Sequence, residues 1–135
     1  MTRFALAYLA TLVTMLVIDL LWLGVIARSL YTAGIGHLMA AQPNWVAAVL
    51  FYLLYPLGLM LLAVSAHAAE PGWRATATTA ALFGFFAYAT YDLTNLATLR
   101  AWPVGLTVID MAWGTLLSAG AAVVGKLVWD RVAAG

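Results

Sequence analysis

The sequence predicts an all-α integral membrane protein, a four-transmembrane-helix bundle with both termini in the cytoplasm. Three observations carry that reading. The 135 residues are 66% hydrophobic and only 8% charged, with a mean hydropathy of +1.01, whereas soluble domains carry about 25% charged residues. Four apolar stretches lie near 4–27, 46–66, 75–98 and 103–127, against the ~20 residues that a bilayer asks of a helix. The six basic residues, Arg3, Arg28, Arg74, Arg100, Lys126 and Arg131, all fall at or beyond the ends of those stretches.

The first stretch, Phe4 to Ala27, is longer than the roughly 7–15-residue apolar core of a secretory signal and lacks a clear small-residue cleavage motif, so it reads as a retained span. Gly34, Gly36, His37, Gln42, Pro43 and Asn44 then mark a connection from Arg28 to Trp45. The second stretch ends before His67, Glu70, Pro71, Gly72 and Arg74. Between the third and fourth stands only the corner Arg100-Ala101-Trp102-Pro103, with proline at a position that suits a helix start. So short a corner makes spans three and four antiparallel neighbours. Residues 1–135 therefore form a single domain. Arg3, Arg74, Lys126 and Arg131 fall on one side and Arg28 and Arg100 on the other, which places both termini in the cytoplasm by the positive-inside bias.

Several classes are excluded. The chain has no cysteine, which removes disulfides, thiolate metal sites and thiol nucleophiles. A net charge of +1 gives no reason to expect nucleic acid as a partner. His37 and His67 fall in loops and read as solvated side chains.

Against this apolar background stand three aspartates, Asp19, Asp92 and Asp110. An ionisable group in hydrocarbon costs about 2.5–3.5 kcal/mol on insertion scales and marks a functional site by default. At 1.5 Å per residue, all three come within roughly 10–12 Å of the non-cytoplasmic end of their spans. One outward-opening site is the reading that follows. Asp19 and Asp110 share an I-D-x-x-W pattern, with Trp22 and Trp113 on the same helical face as the acid three residues before. Each indole can donate to a carboxylate or stack on a ligand. In span three Asn95 takes the indole's offset from Asp92, with Tyr88 and Tyr91 nearby; in span two, Tyr52 and Tyr55 precede Pro56. Proline frees the carbonyl four residues back, here that of Tyr52. The echo of Asp19-Leu20-x-x-Leu23-Gly24 in Asp92-Leu93-x-x-Leu96-Ala97 fits an internal duplication, although short apolar matches also arise by chance.

Three clustered carboxyls cannot all ionise in a low dielectric. Either they hold protons or a cation sits among them; if a metal, the all-oxygen set Asp19, Asp92 and Asp110 suits Mg, Ca or Mn. A purely structural reading stands beside this, because Asp, Asn and Tyr also fasten membrane helices by hydrogen bonds of ~0.6–2 kcal/mol. Trp45, Trp73, Trp102 and Trp129 read as interfacial belt residues. Gly114, Ser118, Ala121 and Gly125 form a small-residue seam for close helix packing.

The motifs D-x-x-W-L-G from Asp19, F-Y-x-x-Y-P-x-G from Phe51, Y-A-T-Y-D-L-T-N-L-A from Tyr88 and I-D-x-x-W-G from Ile109 resemble those of a family of small bacterial membrane proteins, a domain of unknown function numbered 2177. The resemblance covers nearly the whole chain and is most specific over Tyr88 to Asn95, with Trp102-Pro103 following. It implies a multi-pass, four-span protein of the bacterial inner membrane and brings no activity or cofactor. Three functions fit the residues, in this order. The protein binds or translocates a cation or a small polar or amphipathic ligand, as a homodimer given its size. It is an accessory or assembly subunit of a larger membrane complex. Or it is a membrane-embedded enzyme acting on a lipid or isoprenoid, for which no nucleophile motif or phosphate loop specifies a reaction.

Overall fold

In water-free hydrocarbon a chain must satisfy its backbone polar groups internally, so an apolar sequence of this kind can only be helical or a closed barrel. The computed structural model describes residues 1–134, in which every regular element is a helix and no strand occurs. Helix α1 (Thr2–Leu21) continues into a π-helical turn, Trp22–Ile26, closed by the Ala27 N–H donating to the Trp22 carbonyl at 2.7 Å. The chain bends at Ala27 and forms α2 (Arg28–Ile35), which ends in the short turn Gly36–Leu38. Helix α3 (Trp45–Leu59) starts at Asn44, whose side-chain oxygen accepts the Ala47 N–H at 3.1 Å, and so satisfies one of the first-turn donors. Pro56 lies inside α3, and a second π-helical turn, Met60–Val64, follows it. Helices α4 (Arg74–Thr98) and α5 (Val104–Ala134) complete the chain.

Three helices, Thr2–Ile26, Trp45–Val64 and Val104–Ala134, are long and apolar enough to cross a bilayer. Helix α4 has 25 residues, a sufficient length at 1.5 Å each, but six threonines, Asp92 and Asn95 dilute its apolar character. The segment 28–44, expected to be a connection, contains α2 lying across the end of the bundle, where Gly34 meets Pro103 and Leu106. Helix α5 runs seven residues past the expected end at 127, and Lys126, expected at a segment end, is buried within it.

Helix α5 is the central element, packed against α4 on one side and α1 on the other. Its small-residue seam does what its spacing promised. A side chain on Gly84 of α4 would overlap the Gly114 carbonyl and the Ser118 hydroxyl, and one on Gly125 would overlap Thr11 of α1. Close backbone approach is how membrane helices gain packing contacts when no solvent drives them together. The tight core of Met15, Leu59, Met60, Val64, Ala80, Leu117 and Ala121 fills the half of the bundle nearer the termini. There the second π turn brings the end of α3 against both α4 and α5. Towards the α2 end, α3 and α4 stay apart beyond the level where Tyr55 and Gly58 meet Phe83. That divergence makes the cavity.

Candidate functional site

A cavity of about 540 Å³ occupies the α2 half of the bundle, within the usual range for small-molecule sites. Asp19 and Leu23 come from α1 and its π turn, Tyr31 from α2, and Phe51, Tyr52 and Tyr55 from α3. Tyr88 and Tyr91 come from α4, and Asp110 and Trp113 from α5. The small side chains of Ala48 and Ala87 line it where α3 and α4 face each other. At this level α3 and α4 are not packed on each other, which leaves a gap between them beside the cavity.

Two polar clusters hold its inner wall. Asp19, only 3% exposed, accepts the Tyr52 hydroxyl at 2.6 Å on one oxygen and the Trp113 indole N–H at 3.1 Å on the other. Asp110, 8% exposed, accepts a short hydrogen bond from the Tyr31 hydroxyl, which itself accepts the Trp22 indole N–H at 3.2 Å. Burial first, and then the bond to Asp110, push the Tyr31 phenol well above its ordinary range, so it stays a donor. The two I-D-x-x-W patterns therefore exchange partners. The indole that follows Asp110 serves Asp19, and the indole that follows Asp19 serves Asp110 through Tyr31. The rings of Trp22 and Trp113 lie between the clusters, stacked with centroids 4.2 Å apart and planes 6° from parallel.

Asp92 is different. Its side chain is fully buried beside Asp110, yet neither of its oxygens has a hydrogen-bond partner of ordinary geometry. The three aspartates thus do not converge on one point: Asp19 and Asp110 line the cavity, while Asp92 lies beside Asp110 and is not part of that lining. Among the described residues no three acidic, His or Cys side chains gather closely enough to hold a metal ion.

Of the other expected site residues, Tyr52, Tyr55, Tyr88, Tyr91 and Trp113 line the cavity, whereas Trp22 supports it from behind and Asn95 does not line it. Tyr55 is held by Ser118, with hydroxyls 2.8 Å apart, so the seam contributes a polar contact as well as space. Tyr88 lies flat on the backbone at Gly114, where any side chain would collide with its ring. The carbonyl near Pro56 that receives a side-chain donor is that of Leu53, from the Tyr8 hydroxyl at 3.0 Å, on a polar contact separate from the aspartates. Trp102 is buried, with its indole bonded to Thr107 at 3.0 Å, and Trp129 packs on Phe4 and under the Arg3 guanidinium. Trp45 and Trp73, by contrast, are exposed. His67, expected to be solvated, is within 2.8 Å of both Glu70 and Thr79.

Tyr31 is the principal residue that the sequence did not single out. Its signal was weak: a lone tyrosine three residues past Arg28, in a stretch that reads as a loop unless the chain folds back over the bundle.

Three helices long and apolar enough to cross a bilayer define a multi-pass membrane protein. A family model described as "Predicted membrane protein (DUF2177)" matches residues 4–127, and the chain belongs to that family. No curated protein and no solved structure matches it.

Proposed function

We propose that the protein binds a small amphipathic cation, and that the ligand enters from the bilayer between α3 and α4. The observation that carries this is a pair of carboxyls, Asp19 and Asp110, set in the wall of an aromatic cavity with no basic side chain lining it. A bound ammonium or a cluster of N–H donors supplies the missing counter-charge. The rings of Tyr52, Tyr88 and Trp113 add cation–π attraction, about 0.5–2 kcal/mol each where desolvated. The opening faces what would be acyl chains, and Phe51 and the alanines beside it accept an alkyl tail. A head group with a few methylenes fills the volume, and a longer chain leaves through the gap.

The bilayer placement belongs to the same proposal. Helix α4 is the fourth span: its neighbours cover its polar residue Asp92 completely, and its length suffices. Arg3, Arg74, Lys126 and Arg131 lie towards the termini end, against Arg28 and Arg100 at the α2 end. That bias supports cytoplasmic termini in a bacterial inner membrane, with the cavity in the outer half. Binding is the part of the function this geometry supports; translocation needs a second opening, and the packed core of the termini half offers none in this conformation.

The test uses the purified protein in lipid nanodiscs, titrated with dodecyltrimethylammonium while tryptophan fluorescence is followed, since Trp113 lines the site. Saturable binding is expected, weakened at least tenfold in Asp19→Asn. A non-saturable signal, or equal affinity in wild type and Asp19→Asn, would contradict the proposal.

A further inference from the structure

Asp92 plays no part in cation binding as described, and its burial calls for an explanation. Its side chain is 0% exposed and both oxygens lack a hydrogen-bond partner. A carboxylate deprived of water, donors and counter-charge is among the costliest groups a protein can bury. Around Asp92 and its neighbour Asp110 stand Trp113 from α5, Tyr31 from α2, Asp19 from α1 and Trp22 from its π turn, Tyr52 from α3, and Tyr88 and Tyr91 from α4 itself. None of these is basic. The ion pairs among the described residues, Lys126 with Asp130 and His67 with Glu70, lie at the other end of the bundle.

The three acids thus have unequal surroundings. Asp19 accepts two donors, Asp110 accepts one, and Asp92 accepts none. Such a gradient separates acids that stay ionised from acids that keep a proton. Asp110 is the member shared between Asp92 beside it and the cavity in front.

We propose that Asp92 and Asp110 share one proton at rest, and that a cation entering the cavity displaces it, so that binding exchanges one cation for one proton. In the exchange the O–H bond held by the pair breaks and the proton passes to water at the cavity. The electron pair stays on the carboxylate, and Asp110 then faces the incoming cation from the side opposite Tyr31. One positive charge enters and one leaves, so the net charge of the site is unchanged. Linkage makes the effect reciprocal: protonation of the pair weakens cation binding by the same factor that cation binding weakens protonation. Affinity therefore rises with pH across the range in which the pair loses its proton.

The exchange rests on the cation-binding reading; the proton held at rest does not. The two are separated by two measurements on the protein in nanodiscs. Infrared spectra at neutral pH without added cation are expected to show the carbonyl stretch of a protonated carboxyl in wild type. Asp92→Asn should lose that band and Asp19→Asn should keep it. Absence of the band, or its survival unchanged in Asp92→Asn, overturns the shared proton. Dodecyltrimethylammonium, which carries no exchangeable proton, is then added in weak buffer with a pH-indicating dye. About one proton should appear per bound cation in wild type and none in Asp92→Asn. Binding without proton release overturns the exchange and leaves the binding function standing. Failure of the cation to bind wild type at all overturns the binding function and the exchange with it, while the resting proton is still judged by the infrared band.

Discussion

The two ends of the bundle both bury charged groups, and they treat them in opposite ways. At the termini end Lys126, 1% exposed, donates to Asp130 at 2.6 Å and to the Glu70 carbonyl at 3.1 Å. There His67 bridges Glu70 and Thr79, and Arg3 donates to the Trp129 carbonyl while stacking on its ring. Positive and negative groups alternate, and the polar contacts tie the 65–73 connection to α4 and α5. At the α2 end the buried charged groups are all acids, they are served by neutral phenols and indoles, and one of them has no partner. A buried charge with its counter-charge beside it is explained by the fold alone. A buried acid without one points to something that arrives.

Substitutions can break or sharpen that contrast. The largest effect is expected from Gly84→Ala, which forces a methyl group into the Gly114 carbonyl and Ser118. Overpacking of this kind costs about 3 kcal/mol, and because it separates α4 from α5 it should damage both ends, seen as a lower melting temperature together with lost cation binding. Next is Lys126→Met, which leaves Asp130 and the Glu70 carbonyl without their donor. Asp130 is 39% exposed, so the expected loss is about 2 kcal/mol, below the ~3–5 of a wholly buried pair. Cation affinity at the α2 end should not change; a loss there would dissolve the distinction between the two regions.

Tyr31→Phe comes third. It removes the donor to Asp110 and the acceptor for Trp22, a loss of about 1 kcal/mol on the scale of polar contacts between membrane helices. Hydrogen exchange should quicken over 28–35 and stay unchanged over 65–73. Asp92→Asn is the smallest in stability, within about 1 kcal/mol of wild type, because the amide can donate to Asp110 where the shared proton stood. A large destabilisation by Asp92→Asn would return it to the structural class in which Lys126 belongs.

Much of this architecture was legible from residue pattern. Membrane character and the long helices follow from hydropathy, since the bilayer leaves the backbone few alternatives. The seam at Gly114, Ser118 and Gly125 was legible because close approach demands small residues. So was the shared depth of Asp19 and Asp110, which is only a count along each helix. The pairing of Trp22 and Trp113 was not. Spacing places an indole on the same face as its own acid, but which acid it reaches depends on the rotation of α1 against α5 and on the π turn at Trp22. Helix α2 was hidden for a related reason: its glycines and its position between long apolar stretches suggest a loop, and only its docking on Pro103 and Asp110 makes it part of the site. The contact of Asp92 with Asp110, away from the cavity lining, is a matter of helix rotation, which the mixed polar and apolar neighbours along α4 do not encode.

The most direct measurement is a high-resolution map of the protein in nanodiscs with dodecyltrimethylammonium bound. The account predicts density for the head group between Asp19 and Asp110, against Tyr52 and Trp113, with the alkyl chain leaving between α3 and α4. Density for the head group elsewhere, or a closed gap with Phe51 and Tyr88 filling the space beside an empty pair of carboxyls, would contradict it.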